Sequence, residues 1–579
     1  MAAEYDTARN EVRPARAWLS AVGVAFAVEV LLNWASLLGS GDYSFSLKVS
    51  CARVAIMLGV FFLYRVFRQS SRIWGVPLDF TRKSQQVVIC AVSGVLCVSL
   101  LGLCRVSGQA EWLERGAVYE EGIQAVQDGN QYDYLADAFL AGRVDLDLPE
   151  SSVLLSMDNP YDTPLRQQLN AAAHEPIYWD YAFYQGKYYC YFGALPCLLT
   201  FLPYKAVTGC DLRTDWVVAL FACLVVVSGI ALLYQLARTY FEGLSLGAFL
   251  VGVAFLYCSG GVLEQAFLPR IYPIPILSAL FFCFTGLAVL LRARRSFSKG
   301  LSVGKAQLAL GAFLVACTLG CRPQYILAAT LIVVIFWPDI RARRFFSRVG
   351  LGNTFAVIAP FFVVAIPVCL YNAARFASPF DFGASYNLTG ADMTAYEFDP
   401  LVALVRSLEY LFLPPVVQAD YPFIHAVNDV SGLPDVLWTN EPVFGGLFAF
   451  APAALAVFAL FREKTRCALD DRGILGVCVA CAALALVVLV VVSSVSGVTM
   501  RYFADFAWLI VIPATAVMWD VMARERVQGR VRRAGWIAAA VFAGLPLYCW
   551  TFLAIARFGA LVSSSPQIYH AVEALLRFL

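Results

Sequence analysis

Charge is scarce in this chain. Only 15% of its 579 residues are Asp, Glu, Lys or Arg, where soluble proteins carry ~25%, and the shortage excludes a string of soluble domains. Histidine is rarer: His174, His425 and His570 are scattered, so neither a histidine metal triad nor a zincin motif is available. No GxxxxGK[ST] loop is present to cradle nucleotide phosphates. The formal charge of +2, from 43 basic and 41 acidic residues, argues against nucleic acid as a partner.

Apolar residues fill the space that charge leaves. Hydrophobic side chains make up 60% of the sequence, and the mean hydropathy is +0.69. They come in blocks separated by short basic clusters, the pattern of bilayer-spanning helices. The expected fold is therefore all-α, a polytopic membrane helix bundle with external amphipathic helices and a small extracytoplasmic loop region. Expected spans lie at 17–38, 51–66, 87–104, 215–236, 244–261, 274–291, 306–320, 325–338, 352–371, 443–461, 473–492, 503–522 and 534–556, about thirteen in all. Most of the seventeen cysteines fall inside these runs and read as small hydrophobes. Cys190, Cys197 and Cys210 leave room for one bridge, and the Cys478/Cys481 pair lies mid-span with no second pair to make a zinc site.

Arginine clusters set the phase of the spans. Arg9/Arg13/Arg16, Arg65/Arg68/Arg72/Arg82/Lys83, Arg292/Arg294/Arg295/Lys299/Lys305, Arg341/Arg343/Arg344/Arg348, Arg462/Lys464/Arg466/Arg472 and Arg524/Arg526/Arg530/Arg532/Arg533 all fall on one side. The positive-inside rule makes that side cytoplasmic, with the N-terminus inside and two long polar segments, 105–214 and 372–442, outside. Three parts follow: 1–86 with two spans, a core over 87–522, and 523–579 with the last span and an external tail. Glu29 and Asn33, one turn apart in the first span, read as an interhelical bond rather than a proton relay.

The first external segment is acidic, with fourteen carboxylates against five bases between 105 and 190. Asp133–Ala141 reads as a short amphipathic helix ended by Gly142, and Tyr191–Val207, broken by Pro196 and Pro203, as a helix lying in the interface. Among the acids, Asp128, Asp133, Asp162 and Asp180 are the candidate catalytic residues. Asp180 stands in YWDYAFYQGKYY, whose rings, Tyr188 included, suit stacking on a sugar and withdraw the acid from water. Pairing with Lys187 is the plainer reading of the same residues. Asp133 and Asp137, four apart, also fit a solvated helix face, and Asp158 and Asp162 around NPY also fit turn and capping roles. Asp145-Leu146-Asp147 reads as an exposed strand sooner than as a metal-binding pair. On the outer side Arg270, Arg322, Arg375 and Arg501 each stand alone beside an apolar run. A planar guanidinium suits phosphate, and the alternative is an interfacial anchor.

Several segments resemble, in order, those of the C-type, polyprenyl-phosphate-dependent glycosyltransferases, a superfamily that includes protein O-mannosyltransferases and aminoarabinose transferases. GNQYDYLADAFLAGRVDLDL is similar to their first external loop, WDYAFYQGKYYCYFGALPCLLTFLP to their aromatic turn and proline-containing helix, and GCRPQYILAA, YNAARFASPFDFG and MRYFADFAWLIVIP to three further segments. The resemblance spans roughly 87–522. It implies an external carboxylate that deprotonates an acceptor hydroxyl, and cationic groups that stabilise the leaving phosphate, with inversion at the sugar carbon. The family's Asp-Glu pair aligns with Asn130 and Gln131, and amides cannot serve as general bases.

The expected function is transfer of a sugar from a polyprenyl-phosphate donor to a glycan, lipid or protein acceptor at the outer face of a prokaryotic plasma membrane. Arg270, Arg322, Arg375, Arg501, Lys187 and Tyr188 are the candidate substrate contacts. Membrane lipids are the remaining partners; no cofactor is expected, and metal dependence is left open. The rival readings are a transporter or flippase of lipid-linked glycans, for which no related halves are visible, and a non-catalytic envelope-assembly protein. Reporter fusions after Gly350 and Gln528 are expected to report cytoplasm, and those after Gln167 and Gly390 exterior. A cytoplasmic signal at Gln167 overturns the placement of every candidate acid.

Overall fold

The computed structural model describes residues 20–31, 47–112, 118–298, 304–418, 423–427 and 441–560. Arg9, Arg13, Arg16, Asn33, Lys299 and His570 lie outside these ranges. The chain is an all-α, polytopic membrane bundle. Among the described residues, seven helices are long and apolar enough to cross a membrane: Lys83–Arg105, Thr214–Tyr240, Pro273–Phe297, Leu351–Phe376, Leu475–Val495, Met500–Val527 and Val531–Arg557. Ser20–Leu31, Leu246–Ser259, Lys305–Gly320, Pro323–Ile335 and Pro452–Phe461 are shorter apolar helices. Leu47–Phe67 is a further 21-residue helix. Leu246–Ser259 rises about 21 Å at 1.5 Å per residue, and Pro452–Phe461 is wound as a tighter 3₁₀ helix.

The helix Phe503–Val527 forms the axis of the bundle, and every side chain from Phe503 to Asp520 is buried. A helix apolar on all sides must be enclosed by protein or lipid; this one is enclosed by protein, whereas Leu351–Phe376 keeps most of its apolar surface outside. Each end of the axial helix carries one buried acid, Asp505 and Asp520. Asp520 takes Arg472 Nε at 2.9 Å and Arg524 Nη2 at 2.7 Å. Asp339, at the same end of the bundle by the arginine phase, takes Arg294 at 3.1 Å and Arg344 at 2.8 Å. Glu29 lies 3.8 Å from Arg53 of the next helix, so the acid of the first span meets a base between helices.

Packing at this end turns on Trp74, which is fully buried and donates its indole N–H to the Arg68 carbonyl at 3.1 Å. A Cβ on Gly247 or Gly535 would lie 2.6 or 2.4 Å from the Trp74 ring, so only glycine lets both helices close on the indole.

The long polar segment after Lys83–Trp112 folds into short elements. Val118–Glu120 pairs with Ala125–Gln127, and Ala182–Tyr184 with Lys187–Tyr189, both antiparallel. Between them lie helices Gln131–Leu140 and Thr163–Ala173. The helix expected near 133–141 starts two residues earlier, and Gly142 follows it with φ +71°. The 191–207 stretch forms two short helices, Leu195–Leu199 and Phe201–Thr208, that meet at Thr200. The cysteines are all free, so no bridge joins Cys190, Cys197 and Cys210; the first two are buried and the third is exposed.

The two long polar segments are joined to one another. Arg166, buried, donates to the Thr389 carbonyl at 2.8 Å and to the Pro160 carbonyl at 3.0 Å. Asn159 Nδ2 donates to Asp392 at 2.7 Å. The Asp180 N–H donates to the Leu388 carbonyl at 3.0 Å, and the Leu388 N–H to the Tyr181 carbonyl at 2.9 Å.

Removing Asp520 strands two guanidinium groups against the apolar core. Asp520→Ala is expected to lower stability by about 2–3 kcal/mol, read as a lower unfolding midpoint in detergent. Glu525→Ala, which breaks only the exposed pair with Arg530, is expected to leave the midpoint unchanged.

Candidate functional site

Asp180 sits where the chain passes from an extended stretch, bonded to Val126, into the Ala182–Tyr184 strand. Its φ of +61° is left-handed, a conformation in which Asn and Asp are tolerated better than other side chains. Two bonds fix that backbone: its N–H reaches Leu388, and its carbonyl accepts Gln131 Nε2 at 3.0 Å. Gln131 is buried at the first turn of its helix. The amide aligned with a family acid thus holds the main chain of Asp180.

The carboxylate accepts the Tyr272 hydroxyl on Oδ2 and Asn387 Nδ2 at 3.3 Å on Oδ1. A carboxylate offers about four acceptor positions, so capacity remains for an incoming hydroxyl. Burial raises the Asp180 pKa above the ordinary value, against the opposing influence of Tyr272, Arg501, Thr389 and Asn387.

Tyr272, in the turn before the Pro273–Ser298 helix, links this acid to the arginines. The Arg501 guanidinium lies 4.2 Å from the Tyr272 ring centre and 5.1 Å from that of Tyr502. Arg322 lies 5.1 Å from the same Tyr502 ring. Each arginine also has an acid: Arg501 Nη1 reaches Glu441 Oε1 at 2.5 Å, and Arg322 Nε and Nη2 reach the two oxygens of Asp505 at 2.9 and 2.7 Å. Glu441 accepts the Thr499 hydroxyl as well. Three carboxylates thus stand against two guanidinium groups, and Arg270 adds a third cation to the same cleft. That cleft, a narrow crevice of about 10 Å³, is lined by Arg270, Tyr272, Glu441 and Arg501, with Glu264 and Gln265 beside them.

The second arm of the site is a close backbone crossing. A Cβ on Gly193 would lie 2.3 Å from the Gly320 carbonyl oxygen, so the chain after Tyr191 can cross the turn before Arg322 only as glycine. Tyr191 packs on Phe192 with ring centres 4.7 Å apart, and Phe192 on Tyr272 at 5.8 Å.

The other sequence candidates have local partners. Asp128 accepts the Asn130 N–H at 2.9 Å and the Tyr134 hydroxyl at 2.8 Å. Asp133 is buried and accepts the Leu212 N–H at 3.0 Å, while Asp137 pairs with Lys205. Asp162 caps the Thr163–Ala173 helix through the Leu165 N–H at 3.1 Å. Lys187 pairs with Asp145 at 3.3 Å rather than with Asp180, and Arg143 lies 3.2 Å from Asp147. Tyr188 is buried among Tyr178, Tyr181 and Phe183.

The four outer arginines do not form one cluster. Arg322 and Arg501 share Tyr502, and Arg270 shares the cleft with Arg501. Arg375 is buried and directs Nη1 to the Cys190 carbonyl at 2.5 Å and Nη2 to Asn372 at 2.7 Å. An arginine at a span edge can satisfy a loop carbonyl as readily as a phosphate, and lone placement in sequence does not separate the two. Tyr272, Asn387, Glu441, Tyr502 and Asp505 escaped the sequence reading. Of these only Asp505 carried a local signal, four residues after Arg501 in MRYFADF.

The backbone of Asp180 predicts its own mutational profile. Asp180→Asn is expected to fold with an unchanged midpoint, whereas the β-branched Asp180→Val is expected to lose about 1–3 kcal/mol, measured by thermal unfolding in detergent.

No family model and no curated protein matches the chain. Among solved structures it is similar to the archaeal oligosaccharyltransferase AglB from Archaeoglobus fulgidus, which was determined in complex with an inhibitory peptide and a dolichol-phosphate. The TM-score is 0.34 and the identity 12%, over 83% of this chain and 60% of that one. The chain therefore spans about 60% of that structure's length, and a likeness at this level assigns no activity.

Proposed function

We propose that the chain is an integral membrane glycosyltransferase of the C type, moving a sugar from a polyprenyl-phosphate donor to an acceptor hydroxyl at the outer face of the membrane. The observation that carries the reading is the setting of Asp180: a desolvated carboxylate with spare acceptor capacity, bonded to a tyrosine whose ring lies under Arg501. Asp180 takes the proton of the acceptor hydroxyl, and the oxygen attacks the anomeric carbon. The bond from that carbon to the phosphate oxygen breaks, and the lipid phosphate leaves with the electron pair. Displacement from the far side inverts the sugar carbon. Arg501 is the cation nearest the base, and the donor phosphate shares its guanidinium with Glu441.

Purified chain supplied with radiolabelled lipid-phosphate sugars and candidate acceptors tests the reading directly. Asp180→Asn keeps the shape and removes the base, so transfer is expected to fall ~100-fold or more with donor binding retained. Arg501→Ala and Arg322→Ala are each expected to weaken donor binding by ~1.5–3 kcal/mol. Because each also strands an acid, the doubles Arg501→Ala/Glu441→Ala and Arg322→Ala/Asp505→Ala separate the phosphate contact from an unpaired carboxylate. Wild-type transfer by Asp180→Asn would sink the assignment of the base.

The base works only when ionised, and burial raises its pKa. Transfer is therefore expected to be full at high pH and lost on acidification, through an apparent pKa above the ordinary Asp value of about 3.9. A pH–rate profile flat down to that value would exclude Asp180 as the base.

A further inference from the structure

A second cavity lies at the opposite end of the axial helix, the end that the arginine clusters assign to the cytoplasm. It offers about 330 Å³ between the turn at Glu242–Ser245, the Arg472 turn, the last turn of Phe503–Val527 and the start of the next helix at Val531. None of these residues belongs to the site around Asp180.

The cavity carries more guanidinium than carboxylate. Arg472 gives only Nε to Asp520, at 2.9 Å, and lies 5.0 Å from the Phe241 ring centre. Arg524 uses the same Asp520, so one acid serves two cations. Arg526 bonds carbonyl oxygens instead, those of Gly243 and of Gly75, the latter at 3.2 Å. These contacts hold its guanidinium at the cavity wall without neutralising it. Glu242 is the one acid among the lining residues described.

The remaining walls are apolar. Leu244, Met522, Val527 and Val531 line the cavity, and Val527 is 89% exposed. On the helix that follows, Trp536 and Ile537 are exposed to the membrane side. No aromatic ring is among the lining residues described, so nothing is offered for stacking a nucleotide base. A fixed pair of guanidinium groups beside an apolar flank is the chemistry of a lipid phosphate, whose headgroup meets the arginines while its glycerol and chains continue along the bundle.

We infer that this cavity, built from Arg472, Arg526 and the Glu242–Ser245 turn, binds the phosphate headgroup of an anionic phospholipid of the inner leaflet. The site is independent of the proposed sugar transfer. An anionic headgroup there bridges the turn, the axial helix and the last membrane helix through charge-assisted hydrogen bonds.

The test is native mass spectrometry and thermal unfolding of the full chain, with phosphatidylglycerol or cardiolipin compared with phosphatidylcholine at equal concentration. Wild type is expected to retain and be stabilised by the anionic lipids selectively. Arg526→Gln is expected to lower that retention roughly fivefold, as loss of one charge at a membrane surface does. Ala523→Glu, which puts a carboxylate at the cavity without touching an arginine, is expected to do the same if the first variant folds poorly, with Ala523→Gln retaining lipid. Arg532→Gln, an exposed arginine outside the cavity, is expected to change nothing. Equal retention of phosphatidylcholine, unchanged retention in both cavity variants, or an equal loss with Arg532→Gln overturns the inference. Stabilisation by inorganic phosphate equal to that by lipid reassigns the cavity to a soluble anion and overturns the lipid source.

Discussion

An apolar bundle tolerates ionised groups only where they are paired, and the axial helix Phe503–Val527 shows where this chain puts them. Asp505 and Asp520 stand about 22 Å apart along it, with nothing but apolar or small uncharged side chains between. Each acid recruits an arginine from another element, Arg322 at one end and Arg472 at the other, and Asp520 also pairs with Arg524 of its own helix. Desolvation makes an unpaired charge at either place expensive, so these pairings fix how the surrounding helices can end. Elements remote in sequence are thereby brought to the two ends of one helix.

At the outer end the pairing is extended into a site. Asp505 holds Arg322, Tyr502 lies between Arg322 and Arg501, and Tyr272 lies between Arg501 and Asp180. Four separate chain segments supply these groups. The external segments close over them through Leu388, Asn387 and Thr389, so that Asp180 keeps a left-handed backbone with both its main-chain polar groups bonded. Strain of that kind persists only where the surroundings determine it, and it leaves the carboxylate with one orientation. Preorganisation of a base in this manner removes reorganisation from the step it serves.

The two ends differ in charge balance. At the Asp505 end, Arg501 pairs with Glu441 and Arg322 with Asp505, so a phosphate there competes with acids that already occupy the guanidinium groups. At the other end Asp520 serves two arginines, and Arg526 has only carbonyl partners. The first arrangement suits a ligand that arrives and leaves; the second suits one that stays.

Low charge and long apolar runs by themselves determined an all-α membrane bundle, because burial in lipid demands those properties of every crossing segment whatever its neighbours are; of the thirteen expected spans, seven helices among the described residues are long and apolar enough to cross. Aromatic crowding around Asp180 also marked an acid whose pKa burial raises, since part of that burial comes from adjacent residues. Tertiary structure alone decided the rest. Arg375 turned to a loop carbonyl because a nearby polar group offered a bond that no spacing rule encodes, whereas the capping role of Asp162 was already among the readings of the sequence. Asn387 joined Asp180 because hydrogen bonds between the two long polar segments, some two hundred residues apart in the chain, place it there, and Tyr272 and Glu441 reach Asp180 and Arg501 from still other parts of the chain. Contacts of that range depend on how the bundle closes, and a single sequence carries no local trace of it.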